Sequence, residues 1–200
     1  EAVCWGLTTD GQVSDMPGIP LYGVYAGAHK TCGTDGYGQV HCWGYMTGSD
    51  SDPSGTEVPD PEALFTDMDC GWADCCGMDE DGQLECWGGD FYSVSSGHPE
   101  TPVQAVDLGW GNACAIGLDG SIECWGQSTG AIPQGSYHTI EVGHQNACAL
   151  DAGNQATCWT SEDERAIEDE PGVAFDTIAV SSGTACGLDA SGQLYCWGSD

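Results

Sequence analysis

Apolar and polar residues alternate with period two in five separate stretches of the chain, and each stretch is interrupted by a four-residue turn. The stretches are GVYAGAHKTC (23–32), DMDCGWADCC (67–76), VDLGWGNAC (106–114), TIEVGHQNAC (139–148) and TIAVSSGTAC (177–186). Period-two patterning bounded by Gly, Pro, Asn and Asp predicts short strands. Each stretch runs into a second motif: CGTDGYGQVHCWG from Cys32, CGMDEDGQLECWG from Cys76, CAIGLDGSIECWG from Cys114, CALDAGNQATCWT from Cys148 and CGLDASGQLYCWG from Cys186. The predicted unit is therefore a meander of strand, tight turn, strand, glycine-closed turn and a strand ending in CWG. A fourth strand per unit has no clear place in the variable loops. Only SEDERAIEDE (161–170) has helical composition, and it is short and like-charged.

In every copy two cysteines stand ten positions apart. If Cys186 faces Cys196 across an antiparallel pair, Leu188 faces Leu194 and Asp189 faces Gln193, leaving a three-residue loop. Such loops end in a residue with positive φ. That place is filled by Gly38, Gly82, Gly120, Asn154 and Gly192, the residue types that adopt this conformation at least cost. Counting back from the pair that closes the loop, each cysteine pair falls on a non-hydrogen-bonded pair, where the Cα atoms approach closely enough for a disulfide. The expected bridges are Cys32–Cys42, Cys76–Cys86, Cys114–Cys124, Cys148–Cys158 and Cys186–Cys196. Cys70 and Cys75 flank the turn GWAD and predict a sixth, local bridge, which leaves Cys4 unpaired or intermolecular.

The CW pairs recur after 38, 44, 38, 34 and 38 residues, a spacing that belongs to repeat architectures. One repeat domain over 1–200 is expected, with a partial unit at 1–6 and hairpins ending near 44, 88, 126, 160 and 198. Residues Ala2, Val3, Cys4, Trp5 and Gly6 match the closing strand of a unit whose first strands are absent. That strand is a candidate assembly element: it can dock on the last unit, add to a neighbouring chain, or be the remnant of a longer array.

With the hairpin, its glycine turn and the recurring CWG in hand, the chain resembles the regulator of chromosome condensation repeat family, and most of all its secreted bacterial members. The resemblance covers nearly the whole chain. It implies an all-β fold, a β-propeller of about five short blades of three to four strands. Family propellers commonly have seven blades, so five hairpins leave open a five-bladed ring, an open ring, or one completed by other chains. The family often carries histidine two residues before the first hairpin cysteine; Lys30, Asp74, Asn112, Asn146 and Thr184 stand there.

Composition narrows the function. Two basic residues, Lys30 and Arg165, stand against 32 acidic ones, for a formal charge of −30. This excludes a nucleic acid or an anionic membrane surface as partner and fits cationic partners, metal ions or a saline surrounding. Thirteen regularly spaced cysteines place the chain in an oxidising compartment, extracellular or at the cell surface. No apolar run is long enough for a membrane helix, and with no leader before Glu1 the chain reads as a processed or excised form. The regular cysteine spacing reads as staples rather than zinc ligands, and one tryptophan per CW pair reads as packing between blades.

Two sites stand out. In the loop DSDPSGTE, Asp50, Asp52, Ser54 and Glu57 offer oxygen donors at calcium-loop spacing, but the twelfth position is Pro61, so calcium competes with a plainly solvated acidic loop. Trp72, Trp110 and His144 hold the same place in three consecutive turns, with Ala28 and Ser182 in the others. On a ring these tips share one face, where aromatics would bind a protein or a glycan; the alternative is packing of each ring over its own turn. No serine elbow, phosphate loop or HExxH appears, so no enzyme is expected. The two readings are a protein- or glycan-binding propeller, and a structural subunit that assembles with copies of itself through residues 2–6.

Overall fold

The computed structural model describes residues 3–6, 9, 11–44, 63–161, 167 and 170–199. They form five antiparallel sheets of three strands each, with strand order following the chain. Blade 1 contains β1 (Gly23–Ala26), β2 (Lys30–Thr34) and β3 (Val40–Gly44). Blade 2 contains β4 (Asp67–Cys70), β5 (Asp74–Met78) and β6 (Leu84–Gly88), and blade 3 contains β7 (Val103–Leu108), β8 (Asn112–Gly117) and β9 (Ile122–Gly126). Blade 4 contains β10 (Tyr137–Val142), β11 (Asn146–Asp151) and β12 (Ala156–Thr160), and blade 5 contains β13 (Thr177–Ser181), β14 (Thr184–Leu188) and β15 (Leu194–Gly198). No fourth strand is present among the described residues. The helical composition at 161–170 lies largely outside them, as does Ala2.

Register follows from the hairpin loops. In blade 5, Asp189 N donates to Gln193 O and Gly192 N to Asp189 O, which closes the loop and sets Leu188 opposite Leu194 and Cys186 opposite Cys196. The aspartate also accepts from the Ser191 hydroxyl and from the backbone N–H groups of Gln193 and Ser191, which hold its carboxyl below the usual carboxylate range. Asp35, Asp79 and Asp151 cap their loops in the same way. The third loop residue has positive φ in all five blades, including Asn154 at +59°. The five hairpin cysteine pairs are bridged with Cα–Cα separations of 4.0 to 4.1 Å, and Cys70–Cys75 forms a sixth bridge beside the second blade's turn. A bridge closing so short a loop contributes roughly 2–3 kcal/mol.

A three-stranded blade cannot bury both of its faces alone, and the core lies between blades. Each of four apolar clusters spans one joint. Cys32 meets Phe65, Met68 and Cys70 of blade 2; Cys76 and Leu84 meet Val103, Val106 and Leu108 of blade 3. Cys114 and Ile116 meet Tyr137, Ile140 and Val142 of blade 4; Cys148 and Leu150 meet Phe175 and Ile178 of blade 5. Among the described residues no cluster joins blade 5 to blade 1.

Polar contacts lock the same joints. On the hairpin-loop side, the carbonyls of Gly38, Gly82, Gly120 and Asn154 accept from Phe65 N, Val103 N, Tyr137 N and Phe175 N of the next blade. On the opposite side, Gly27, Gly71, Gly109 and Gly143 let the next blade's backbone carbonyl pass where a Cβ would sit. The polar residues at the family's histidine place reach across as well: Lys30 Nζ donates to Ala73 O at 2.6 Å and Asn146 Nδ2 to Ser181 O at 2.9 Å. Four of the CW tryptophans, Trp87, Trp125, Trp159 and Trp197, pack in the joints, whereas Trp5 is exposed. Trp87 stacks on Phe65 and Trp197 on Phe175, while Trp43 Nε1 and Trp125 Nε1 donate to the backbone carbonyls of Gln12 and Val94 in the segments leading to their own blades.

The glycine at the blade 3–4 joint gives a direct test. Gly109→Ala places a methyl group against the Gly143 carbonyl and the Asn112 side chain, both buried. The substitution is expected to cost about 2 kcal/mol or more and to lower Tm by at least roughly 4 °C, read by calorimetry under non-reducing conditions. Gly18→Ala, where nothing lies within 4 Å and φ is outside the left-handed region as it is at Gly109, controls for the backbone effect of losing a glycine.

Candidate functional site at the convergence of the turns

The turn between the first and second strand of every blade points to one end of the molecule, because the strand order is the same in all five. The five tips line one cavity of about 300 Å³, bounded by Ala28, Trp72, Trp110, His144 and Ser182 with their flanking glycines. Its rim is aromatic on three consecutive blades. Trp72 and Trp110 lie with ring centroids 5.0 Å apart, and Trp110 and His144 are 4.9 Å apart edge to face. The row is longer than the pattern of turns suggests: His29 approaches Trp72 at 6.3 Å, and Tyr92, from the short 3-10 segment after blade 2, approaches Trp110 at 6.3 Å. The rings pack on neighbouring blades rather than each over its own turn. Trp110 keeps 40% of its surface in solvent, and His29 and Tyr92 are exposed.

Beneath the row the first strands bring acids together. Asp69, Asp107 and Glu141 stand opposite the hairpin cysteines Cys76, Cys114 and Cys148 in consecutive blades. Asp69 accepts from Leu108 N of blade 3 at 2.8 Å, and Asp107 accepts from Val142 N of blade 4. Burial raises Asp69 above the usual carboxylate range, with the charge of Asp67 adding to it. Burial, and after it the charges of Asp69 and Glu141, push Asp107 well above the usual carboxylate range. Burial, and then Asp69, push Glu141 up to about 7. Lys30 and Asp74 form a second buried pair: burial lowers the lysine to about 8 and raises the aspartate to about 6, each shift partly offset by the other's charge. None of these carboxyls is arranged as a paired acid and base around an open space.

The other sequence candidates fall elsewhere. The loop holding Asp50, Asp52, Ser54 and Glu57 lies outside the described residues. Cys4 is not bridged; its sulfur is 3.8 Å from Met16 Sδ, and Val3 and Trp5 beside it are exposed. Residues 3–6 form no strand and pair with none of the five sheets among the described residues. Among the described residues, the sulfurs of Cys32, Cys70 and Cys75 cluster within 4.8 Å, and all three are spent in disulfides. His41 pairs with Asp35 of its own hairpin, and His138 contacts Asn154 and Thr139. Among the described residues no helix is long and apolar enough to cross a membrane.

The raised carboxyls set a pH dependence. Their folded pKa values lie above the unfolded ones, so the folded state holds these protons more tightly. The resulting stability is full below about pH 4.5 and is lost as pH rises through about 7. Tm is expected to be higher at pH 5 than at pH 7.5 by roughly 5 °C, and Glu141→Gln is expected to shrink that difference. An equal or lower Tm at pH 5 contradicts this assignment.

Comparison with known proteins agrees with this geometry. Residues 175–200, which hold blade 5, match the family model for the regulator of chromosome condensation (RCC1) repeat. No curated protein sequence matches the chain. Among solved structures, the CRINKLY WD40 ectodomain of the Arabidopsis thaliana receptor kinase ACR4 superposes with a TM-score of 0.80 at 24% identity, over 98% of this chain and 72% of that one. The ectodomain of the Physcomitrella patens receptor kinase CR4 gives 0.79 at 22% identity over 98% of this chain and 56% of its own. Prp20p from Saccharomyces cerevisiae gives 0.69 at 14% identity over 89% and 58%. The chain is therefore similar in fold to these propellers and spans little more than half the length of the last two. With five sheets of one topology around a common cavity, the chain is a disulfide-stapled β-propeller whose fifth blade is similar to the regulator of chromosome condensation repeat.

Proposed function

We propose that the chain is a non-enzymatic extracellular binding module that engages a protein through the aromatic row at the convergence of its turns. The observation that carries this reading is the continuity of His29, Trp72, Trp110 and His144 across four blades, the last three of them lining one cavity. Aromatic side chains held by a rigid scaffold present a large contact area at little entropic cost, which suits them to anchor a partner. The charge of −30 favours a cationic partner and supports fast, salt-sensitive association. Six disulfides support an extracellular setting. The similar structures are named for receptor kinase ectodomains and, for Prp20p, for binding to Gsp1p and histones, which supports a protein rather than a glycan as ligand.

The test is titration of tryptophan fluorescence with cationic peptides and, separately, with neutral oligosaccharides. The intact chain is expected to bind peptide with a change in emission, and Trp110→Ala to weaken that binding about tenfold. Equal binding by Trp110→Ala removes the row as the site. Binding confined to oligosaccharides replaces the protein partner with a glycan.

A further inference from the structure

Two disulfides lie against each other across the joint between blades 1 and 2. Cys32–Cys42 staples the hairpin of blade 1, and Cys70–Cys75 staples the turn of blade 2. Cys32 Sγ is 3.7 Å from Cys75 Sγ, both side chains are fully buried, and Cys70 Sγ lies within 4.8 Å of each. The repeat brings them together. In every joint the hairpin cysteine of one blade shares an apolar cluster with the next blade's residue that stands opposite its own CW tryptophan. In blades 3 to 5 that residue is Ala113, Ala147 or Ala185. In blade 2 it is Cys75. The first joint therefore holds a second disulfide where the other three hold a methyl group.

The outer sulfurs of the two bridges stand in different surroundings. Cys42 is half-buried, on the last strand of blade 1. Cys70 is 5% exposed and lines the cavity under the aromatic row. Its bridge to Cys75 closes the turn that carries Trp72. The four sulfurs thus form a series from the last strand of blade 1 to the cavity: Cys42, Cys32, Cys75 and Cys70. Exchange in the middle of the series is favoured by chain entropy. A Cys32–Cys75 bridge spans 43 residues, against ten for Cys32–Cys42 and five for Cys70–Cys75, and a longer closed loop constrains the unfolded chain more.

We infer that these four cysteines form a thiol–disulfide relay, which carries a reducing event at Cys42 to the cavity and leaves blades 1 and 2 covalently joined. An external dithiol attacks Cys42 Sγ, the accessible sulfur. A mixed disulfide forms there and Cys32 leaves as a thiolate, the species through which exchange proceeds. Cys32 Sγ then attacks Cys75 Sγ: the Cys32–Cys75 bond forms, the Cys70–Cys75 bond breaks, and Cys70 leaves as a thiolate that takes a proton from solvent. The second thiol of the dithiol resolves the mixed disulfide, releasing Cys42 as a thiol and the dithiol as its cyclic disulfide. Two electrons enter the protein and one bridge is lost, yet the new thiols stand at Cys42 and Cys70, which were never bonded to each other. The turn holding Trp72 is freed and a thiol opens into the cavity. Any consequence for binding rests on the reading of the aromatic row as a site, whereas the exchange rests on the sulfur geometry alone.

Peptide mapping reads the sulfur pairing and needs no ligand at the row. The intact chain, with the free thiol of Cys4 first blocked by iodoacetamide, is treated with limiting dithiothreitol, trapped with N-ethylmaleimide and digested without further reduction. Molecules that have lost one of the two bridges are expected to carry maleimide on Cys42 and Cys70 and to yield a cross-linked Cys32–Cys75 peptide. Cys42→Ala is expected to reach the same bridge without reductant: Cys32 starts as a thiol and displaces Cys70, which takes the label. Cys70→Ala is expected to converge on it from the other side, with Cys75 displacing Cys42. Labels paired on Cys32 and Cys42, or on Cys70 and Cys75, with no Cys32–Cys75 peptide overturn the proposal. So does a label on Cys32 in Cys42→Ala. The partly reduced intact chain decides the matter where a variant does not fold.

Discussion

Everything in this molecule depends on burying the flat faces of blades that are only three short strands deep. A single blade has an apolar face on each side and no interior of its own, so the hydrophobic contribution to stability arises at the joints. That requirement explains why the four apolar clusters each straddle two blades and why the fully buried cysteines face outward from their own sheet. The disulfides serve a different purpose. They hold each hairpin in register, so that a blade arrives at its neighbour already shaped.

Burial at the joints also decides the electrostatics. A chain this acidic has few ways to keep charge out of its core, and Asp69, Asp107 and Glu141 sit where the first strands crowd together. Holding protons there costs less than leaving three adjacent carboxylates ionised. The same crowding turns two of these acids into acceptors for the next blade's backbone, so the acids are part of the joint.

The sequence made the blade legible and left the joint hidden. The ten-residue cysteine offset and the glycine or asparagine before the closing strand fix hairpin register by local geometry alone, and the structure has that register in all five blades. The turn residues Trp72, Trp110 and His144 are legible as a row because the repeat aligns them. Their stacking across blades was not visible, nor were His29 and Tyr92, which belong to the row from other positions. Lys30 stood out as a substitution for histidine, but its acceptor, Ala73 O, lies 43 residues away and bears no signal in sequence. The glycines at 27, 71, 109 and 143 read as ordinary turn residues until the neighbouring carbonyl is placed beside them. What repeats within a unit is readable, whereas what one unit does to the next needs the distance between them.

The staples limit what mechanical load can do to the molecule. Blades that hold one another only at their joints separate one joint at a time. Once detached, a blade yields little length. Each hairpin is cross-linked over ten residues, which withholds roughly 30 Å of chain per blade from extension. Pulled by its ends, such a chain lengthens mainly through its loops in a series of short steps and keeps its hairpins folded, so that each joint can re-form when tension falls.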